Sequence, residues 1–311
     1  MSAAIRLAIV GLGKIARDQH LPAIAATDGV ELAAIASRNA ALDGVPSFAT
    51  IEELLAADVS VDAVALCTPP QGRFEQAHAA LHAGLHVFLE KPPGATLAEI
   101  LILEKLARLK GVTLFASWHS RFAPCVGAAR TLLADNPPSH VRVTWKEDVR
   151  HWHPGQQWIW EPGGLGVFDP GINALSILTA IVPQALRLDR SDLSFPANRA
   201  APIAASLGFS GEAVTVEAEF DWRQTGPQIW DIEAQTRAGT LLLSEGGARL
   251  TLDGDEIAAG EDAEYRGLYA RFVELVRGGQ RDVDVEPLVH VADAFMLGRR
   301  HAVEAFEDEV A

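Results

Sequence analysis

The apolar run Ile5 to Val10 passes directly into Gly11-Leu12-Gly13-Lys14-Ile15-Ala16, and a stretch of helical spacing comes next. Few architectures satisfy that order. A glycine-rich turn between a strand and a helix is the setting of a dinucleotide fingerprint. Gly11 permits the tight turn, Gly13 lets a pyrophosphate approach the backbone, and Ala16 is small enough for close packing of helix on strand. The unpaired N–H groups and the dipole of the helix start favour the diphosphate there. Gly11, Gly13, Lys14 and Ile15 are therefore the first expected cofactor contacts.

The same order of strand, turn and helix recurs to about Gly111. Apolar runs at Glu31 to Ala36, Ala63 to Cys67 and His86 to Glu90 alternate with helical patterns at Ile51 to Ala57, Phe74 to Ala83 and Leu97 to Leu109. Such alternation predicts βαβ units and a doubly wound parallel sheet, a Rossmann domain over residues 1–120. After Trp118 the period becomes two, at Val141 to Lys146, Val214 to Trp222, Ile229 to Thr236 and Thr240 to Leu243. Turns at Ser244 to Gly247 and Asp253-Gly254 join several of these runs as hairpins. Residues 121–311 are thus expected to form a substrate-binding α+β domain on an open, mainly antiparallel sheet. Helical patterns return at Tyr265 to Arg277 and Leu288 to Phe306, and both, the last helix included, are expected to pack back near the first domain.

Charge narrows the partners. Twenty-six Lys and Arg against 41 Asp and Glu leave a net charge of -15, which repels phosphate backbones and anionic membrane surfaces. No nucleic acid and no membrane are expected as partners. Residues 1–120 carry a net -3 and residues 121–311 a net -12, so an anionic ligand suits the first part and a neutral one the second. Two cysteines, Cys67 and Cys125, fit a reducing cytoplasm rather than a disulfide framework. The longest apolar stretch, Ile172 to Leu186, is broken by Asn173, Pro183 and Gln184, and no targeting or membrane segment is expected. The exposed face of an antiparallel sheet leaves a homo-oligomer open.

Three further strand ends should face the cofactor, because ligands bind beyond the carboxyl ends of strands in an open α/β sheet. The second strand ends in Ser37-Arg38, without the carboxylate that would repel a 2′-phosphate. A hydroxyl beside a guanidinium can hold that phosphate, and the expected cofactor is NADP, with NAD also accepted. Cys67-Thr68-Pro69-Pro70 and Glu90-Lys91-Pro92-Pro93 end the next two strands. Cys67, Thr68, Pro69, Glu90 and Lys91 complete the expected cofactor wall. A lysine fixed at a strand end can also hydrogen-bond a reacting hydroxyl and help move its proton.

Five of the seven tryptophans lie between Trp118 and Trp160, among Glu147, Asp148, Arg150, His151 and His153. Polar groups mixed with flat aromatic surface suit a pyranose, which has polar edges and apolar faces. Trp145, Trp158 and Trp160 are expected to be core, whereas Trp152, between two histidines and before Pro-Gly, should face a ligand. His151, His153 and Asp148 also fit a metal reading if that loop is extended, but no third strong ligand stands at a fixed spacing, and no metal is expected. Asp169 precedes Pro170 and a helical run, which fits a helix cap. Asn173 lies one turn further on the same face, so both can address one spot.

These phrases together resemble the Gfo/Idh/MocA oxidoreductase family. The likeness rests on the glycine turn, Glu90-Lys91-Pro92, Thr68-Pro69-Pro70-Gln71, Trp118-His119-Ser120 and the block Trp145 to Ser176. It covers essentially the whole chain, and within the family it is strongest toward sugar 1-dehydrogenases of the L-arabinose and D-galactose type. The resemblance implies a nicotinamide-dependent oxidation of an anomeric hydroxyl to an aldonolactone. It implies a catalytic set of Lys91, Asp169 and Asn173, and of these Asp169 rather than Lys91 is the expected base, with Lys91 as the alternative proton acceptor. Glu147, His119, His153, Trp152 and Trp230 would join Lys91, Asp169 and Asn173 in holding the sugar. Two alternatives stay open: a non-catalytic sensor on the same fold, for which the Lys91, Asp169 and Asn173 set has no use, and an inositol or dihydrodiol type of dehydrogenase.

Overall fold

A computed structural model describes residues 3–307. The chain divides into two compact units, one of residues 3–119 with 263–285 and one of residues 120–262 with 286–307.

The first unit is built on six strands, β1 (Ile5–Val10), β2 (Val30–Ala36), β3 (Ser47–Phe48), β4 (Ala63–Leu66), β5 (His86–Glu90) and β6 (Leu114–Ser117). They stand in the order β3-β2-β1-β4-β5-β6, with every pair parallel. Both faces are covered, so β4 reads as a continuous apolar run, and β1 does so apart from Arg6, rather than alternating. The order reverses between β1 and β4, which opens the crevice where ligands bind in such sheets. Helices α1 (Leu21–Ala25), α2 (Ile51–Ala56), α3 (Arg73–His82) and α4 (Leu97–Lys110) connect the strands. Thr96 and Glu99 close a capping box at the start of α4, and Gly111 ends that helix in the left-handed region. A five-residue π turn, Ala16–His20, separates the glycine turn from α1.

The second unit carries α5 (Val126–Asp135), α6 (Val149–Trp152), α7 (Phe168–Ile181) and nine strands. The strands are β7 (His140–Lys146), β8 (Arg187–Pro196), β9 (Ala204–Ser210), β10 (Thr215–Asp221), β11 (Ile229–Thr236), β12 (Gly239–Ser244), β13 (Arg249–Leu252), β14 (Asp255–Ala259) and β15 (Arg299–Val303). Their order is β14-β13-β12-β11-β7-β10-β9-β8-β15, antiparallel except for β7 with β10 and β8 with β15. Strand β10 alternates exposed and buried residues, so one sheet face is covered by helices. Helix α7 is buried along most of its length, and a Cβ at Gly171 would stand 2.9 Å from the Phe220 ring, which explains glycine at that close crossing.

Two expectations need correction at the C-terminal end. Helix α8 (Glu264–Gly278) belongs to the first unit, where Tyr269 stacks on Phe88 of β5 at 5.1 Å. Residues 263–285 thus leave the expected second domain of residues 121–311 and join the Rossmann sheet. Helix α9 (Glu286–Leu297) stays in the second unit and stops at Gly298, where a Cβ would collide with the Ala294 carbonyl and Leu193. The residues after it form β15 rather than more helix. No helix among the described residues is long and apolar enough to cross a membrane.

Candidate functional site

In the first unit the glycine turn is fixed from both sides. Gly11 donates to the Ala36 carbonyl at 2.8 Å, and Cys67 donates to the Val10 carbonyl at 2.8 Å. Gly11 has a φ of +92°, and a Cβ there would lie 2.8 Å from Thr68 Cγ2, so the protein's own packing demands glycine. At Gly13 a Cβ would meet nothing within 4 Å. Open space in front of that residue is what a pyrophosphate lying on the turn requires.

A cavity of about 720 Å³ extends from this turn, with Gly11, Gly13, Ser37, Arg38, Thr68 and Pro69 in its wall. Cys67 also lines it, whereas Lys14, Ile15, Glu90 and Lys91 do not. Lys14 instead pairs with Asp18 one helical turn on. The Ser37 hydroxyl accepts from the Leu12 N–H at 3.3 Å, which ties the end of β2 to the glycine turn. Arg38 is exposed and has no ion pair among the described residues. An uncommitted guanidinium beside a hydroxyl on this wall fits an added phosphate. The open turn, the cavity and these two side chains together fit a nicotinamide dinucleotide.

Lys91 follows β5 and is held through its backbone. Its N–H donates to Glu90 Oε2 at 2.6 Å, and the Lys91–Pro92 peptide is cis. Glu90 is 3% exposed and turned inward, with Oε1 accepting from the Tyr265 hydroxyl at 2.6 Å and lying 3.2 Å from His20 Nε2. Burial works to raise the Glu90 carboxyl, but the hydrogen bond and charge of His20, then His119 and Tyr265, hold it at about 2. The other His20 nitrogen lies 2.7 Å from the Tyr269 hydroxyl. Arg73, also buried, donates from Nε to the Thr68 carbonyl at 3.1 Å, and its terminal nitrogens reach the carbonyls of Thr68, Glu90 and Pro92. One guanidinium thus staples the cavity wall to the Lys91 loop. His119 Nδ1 lies 2.5 Å from Glu264 Oε2, and its ring stacks on Tyr265 at 5.4 Å. Burial lowers the His119 pKa, but the Glu264 carboxylate outweighs it and the net direction is upward.

In the second unit the parallel pair β7 and β10 sets the geometry. Glu147 follows β7 and Trp222 follows β10, and Glu147 continues the ladder by donating to the Asp221 carbonyl at 3.0 Å. The Glu147 carboxylate, 4% exposed, accepts from the indole N–H of Trp222 at 3.1 Å and of Trp230 at 2.9 Å. Trp230 lies opposite Trp145 across β11 and β7, and the two rings stack at 5.8 Å. Trp152, 38% exposed, leans on Trp230 at 5.3 Å. Trp145 and Trp160 are buried, and Trp158 is half-buried.

Two local readings change here. Asp148 caps α6, accepting from the Arg150 N–H at 2.9 Å and pairing with its guanidinium, so the His151 and Trp152 segment is a helical turn rather than extended. No group of three His, Cys, Asp or Glu among the described residues could hold a metal. Helix α7 begins at Phe168 with Val167 at its cap, so Asp169 lies inside the first turn rather than at the cap. Its carboxylate, 3% exposed, instead lies 3.2 Å from His153 Nε2. Asn173 is one turn on and half-buried.

Glu147, Trp152, His153, Asp169, Asn173 and Trp230 thus lie in one unit, and Lys91, His119 and the glycine turn in the other. The sequence reading missed His20, Arg73, Trp222, Tyr265 and Glu264. An arginine opening α3 just after Gly72 in the left-handed region was the one local signal. The rest bind partners far along the chain and leave no mark in spacing.

The Gfo/Idh/MocA model, an oxidoreductase family with an NAD-binding Rossmann fold, matches residues 5–117. Over 305 residues the chain is 46% identical to a galactose 1-dehydrogenase of Pseudomonas fluorescens, covering 98% of this chain and 99% of that protein. The crystal structure of a D-galactose-1-dehydrogenase protein from Rhizobium etli superposes with a TM-score of 0.95 at 58% identity, covering 99% of both chains. A 3-ketoreductase from Actinomadura kijaniata, solved with NADP and TDP-benzene, shares the fold at a TM-score of 0.82 and 19% identity, over 96% of this chain and 99% of that one.

Proposed function

The chain belongs to the Gfo/Idh/MocA family of oxidoreductases, and we propose that it is an aldose 1-dehydrogenase that oxidises D-galactose at C1 to the aldonolactone. L-Arabinose shares the C1 to C4 configuration in its pyranose form and is the second substrate. The observation that carries this reading is the Glu147 carboxylate clamped by two indole N–H groups beside the exposed face of Trp152. Hydrogen-bonding edges next to apolar faces are the chemistry a pyranose needs. Whole-length likeness to galactose 1-dehydrogenases supports it. The net charge of -12 on residues 121–311 favours a neutral sugar over a sugar phosphate.

The first unit binds the dinucleotide and the second the sugar. NADP is the preferred cofactor and NAD is accepted, a reading supported by Ser37 and Arg38 in the cavity wall. When bound, the nicotinamide supplies the acceptor for the hydride from C1. Asp169 takes the proton of the C1 hydroxyl as general base. The Asn173 amide holds that oxygen and stabilises the charge it develops. Glu147 accepts from a neighbouring hydroxyl, and Trp152 and Trp230 cover an apolar ring face. Cys67 and Cys125, both free thiols, fit a cytoplasmic enzyme.

The test is the initial rate of reduced-nicotinamide formation with D-galactose, L-arabinose, D-glucose and D-xylose, each with NADP and with NAD. Turnover concentrated on the galactose and arabinose configuration, faster with NADP, is expected. No turnover with any sugar, while NADP still binds, would return the chain to the sensor reading.

A further inference from the structure

We propose that His153 is the proton relay between Asp169 and bulk water. This deepens the reading of Asp169 as the base and rests on it. A carboxylate that takes a proton in every turnover must also lose it, and Asp169 sits where water has little access. Its side chain is 4% exposed, whereas that of His153, 3.2 Å away from Nε2 to Oδ2, is 20% exposed. The two residues come from different elements, the loop after α6 and the first turn of α7, so their pairing is a product of the fold. His153 is also held in place. Its N–H donates to the Val149 carbonyl at 2.8 Å, its ring lies 5.3 Å from that of buried Trp222, and Nδ1 is 3.4 Å from Gln156 Oε1. A sugar hydroxyl ligand needs no such alignment toward a buried carboxylate, but a proton relay does.

The step balances without another reactant. The C1 hydroxyl proton converts the Asp169 carboxylate into a carboxylic acid as hydride leaves C1. That proton passes to Nε2 of the neutral His153 imidazole, giving imidazolium and carboxylate. The imidazolium releases one proton to water from its exposed side, and tautomer exchange through water restores the Nε2 lone pair. Each turnover frees one proton, and both groups return to their starting charge.

The experiment compares H153A, H153Q and D169A with the wild type, using D-galactose and NADP, with NADP binding measured on each to confirm a folded protein. Glutamine keeps a polar nitrogen near Nε2 but cannot carry a proton. The relay predicts that kcat falls on the order of 100-fold in both H153A and H153Q, while the galactose KM moves less than about threefold. Added imidazoles should restore kcat to H153A, more strongly as their basicity rises. A near-normal kcat in H153Q, a change confined to KM, or no rescue would each overturn the relay while leaving Asp169 as base. An active D169A enzyme would instead remove the base itself. Independently of turnover, the ring nitrogen resonances of His153 should move in D169N, and resonances that ignore that substitution would overturn the pairing.

Discussion

His20 Nε2 lies 3.2 Å from Glu90 Oε1, an ion pair between two buried side chains seventy residues apart in the chain. His20 ends the π turn next to the glycine turn, and Glu90 holds the Lys91 N–H. The pair therefore ties the cofactor turn to the lysine loop through the interior of the first unit. Burial works to lower the His20 imidazole, but the Cys67 sulfur and Glu90 raise it to about 10.

That pair sets a pH window for stability. The folded Glu90 value of about 2 lies below its ordinary 4.5, so its contribution is complete above 4.5 and is lost as pH falls toward 2. The folded His20 value of about 10 lies above its ordinary 6.5, so its contribution is complete below 6.5 and is lost as pH rises toward 10. Urea unfolding of wild type and E90Q across pH should differ most between about 4.5 and 6.5. The difference there should be on the order of 3 kcal/mol and shrink on both sides. A difference that does not vary with pH would contradict the pairing.

The two glycines of the turn should separate in mutation. In G13V the new side chain meets open space, so the melting temperature should stay near that of the wild type while the NADP Kd rises at least about tenfold, or 1.4 kcal/mol. In G11V the side chain drives into Thr68 at a positive φ, and the fold itself should weaken by about 2 kcal/mol or more. Calorimetric titration and thermal melts of both variants check this.

Arg38 should matter for one cofactor only. Removing its guanidinium in R38A should raise the NADP Kd by about tenfold to a hundredfold, the worth of a charge-assisted hydrogen bond, with the NAD Kd nearly unchanged. Equal loss for both cofactors would place its effect elsewhere than the 2′-phosphate.

Trp230 should act on sugar binding through Glu147. W230F keeps a ring against Trp145 and Trp152 but removes the N–H that holds Glu147 Oε2 at 2.9 Å. The galactose KM should rise by roughly fivefold for about 1 kcal/mol of lost hydrogen bonding, with NADP affinity intact. A normal KM would show that Glu147 needs only Trp222.

What the chain states locally, it states well. The glycine turn, the alternation of runs to Gly111 and the period-two runs after Trp118 give both sheets, because strand and helix periodicity is set over a few residues. The Asp169-Pro170 pair marks a helix start in the same way, yet α7 begins at Phe168, two residues before Pro170, and the carboxylate lies against His153 instead. Gly298 was the signal that the last helical pattern ends early, and a partner strand, β8, makes the residues beyond it a strand.

Sequence alone thus determined a dinucleotide turn, a parallel sheet and an antiparallel one, and the residue types that a sugar site needs. Tertiary structure alone decided the partners of the buried charges: Glu90 with His20 and Tyr265, Glu147 with Trp222 and Trp230, Asp169 with His153. The reason is physical. A carboxylate removed from water must find donors wherever the fold brings them, and most of those donors stand tens of residues away, where no local spacing records them.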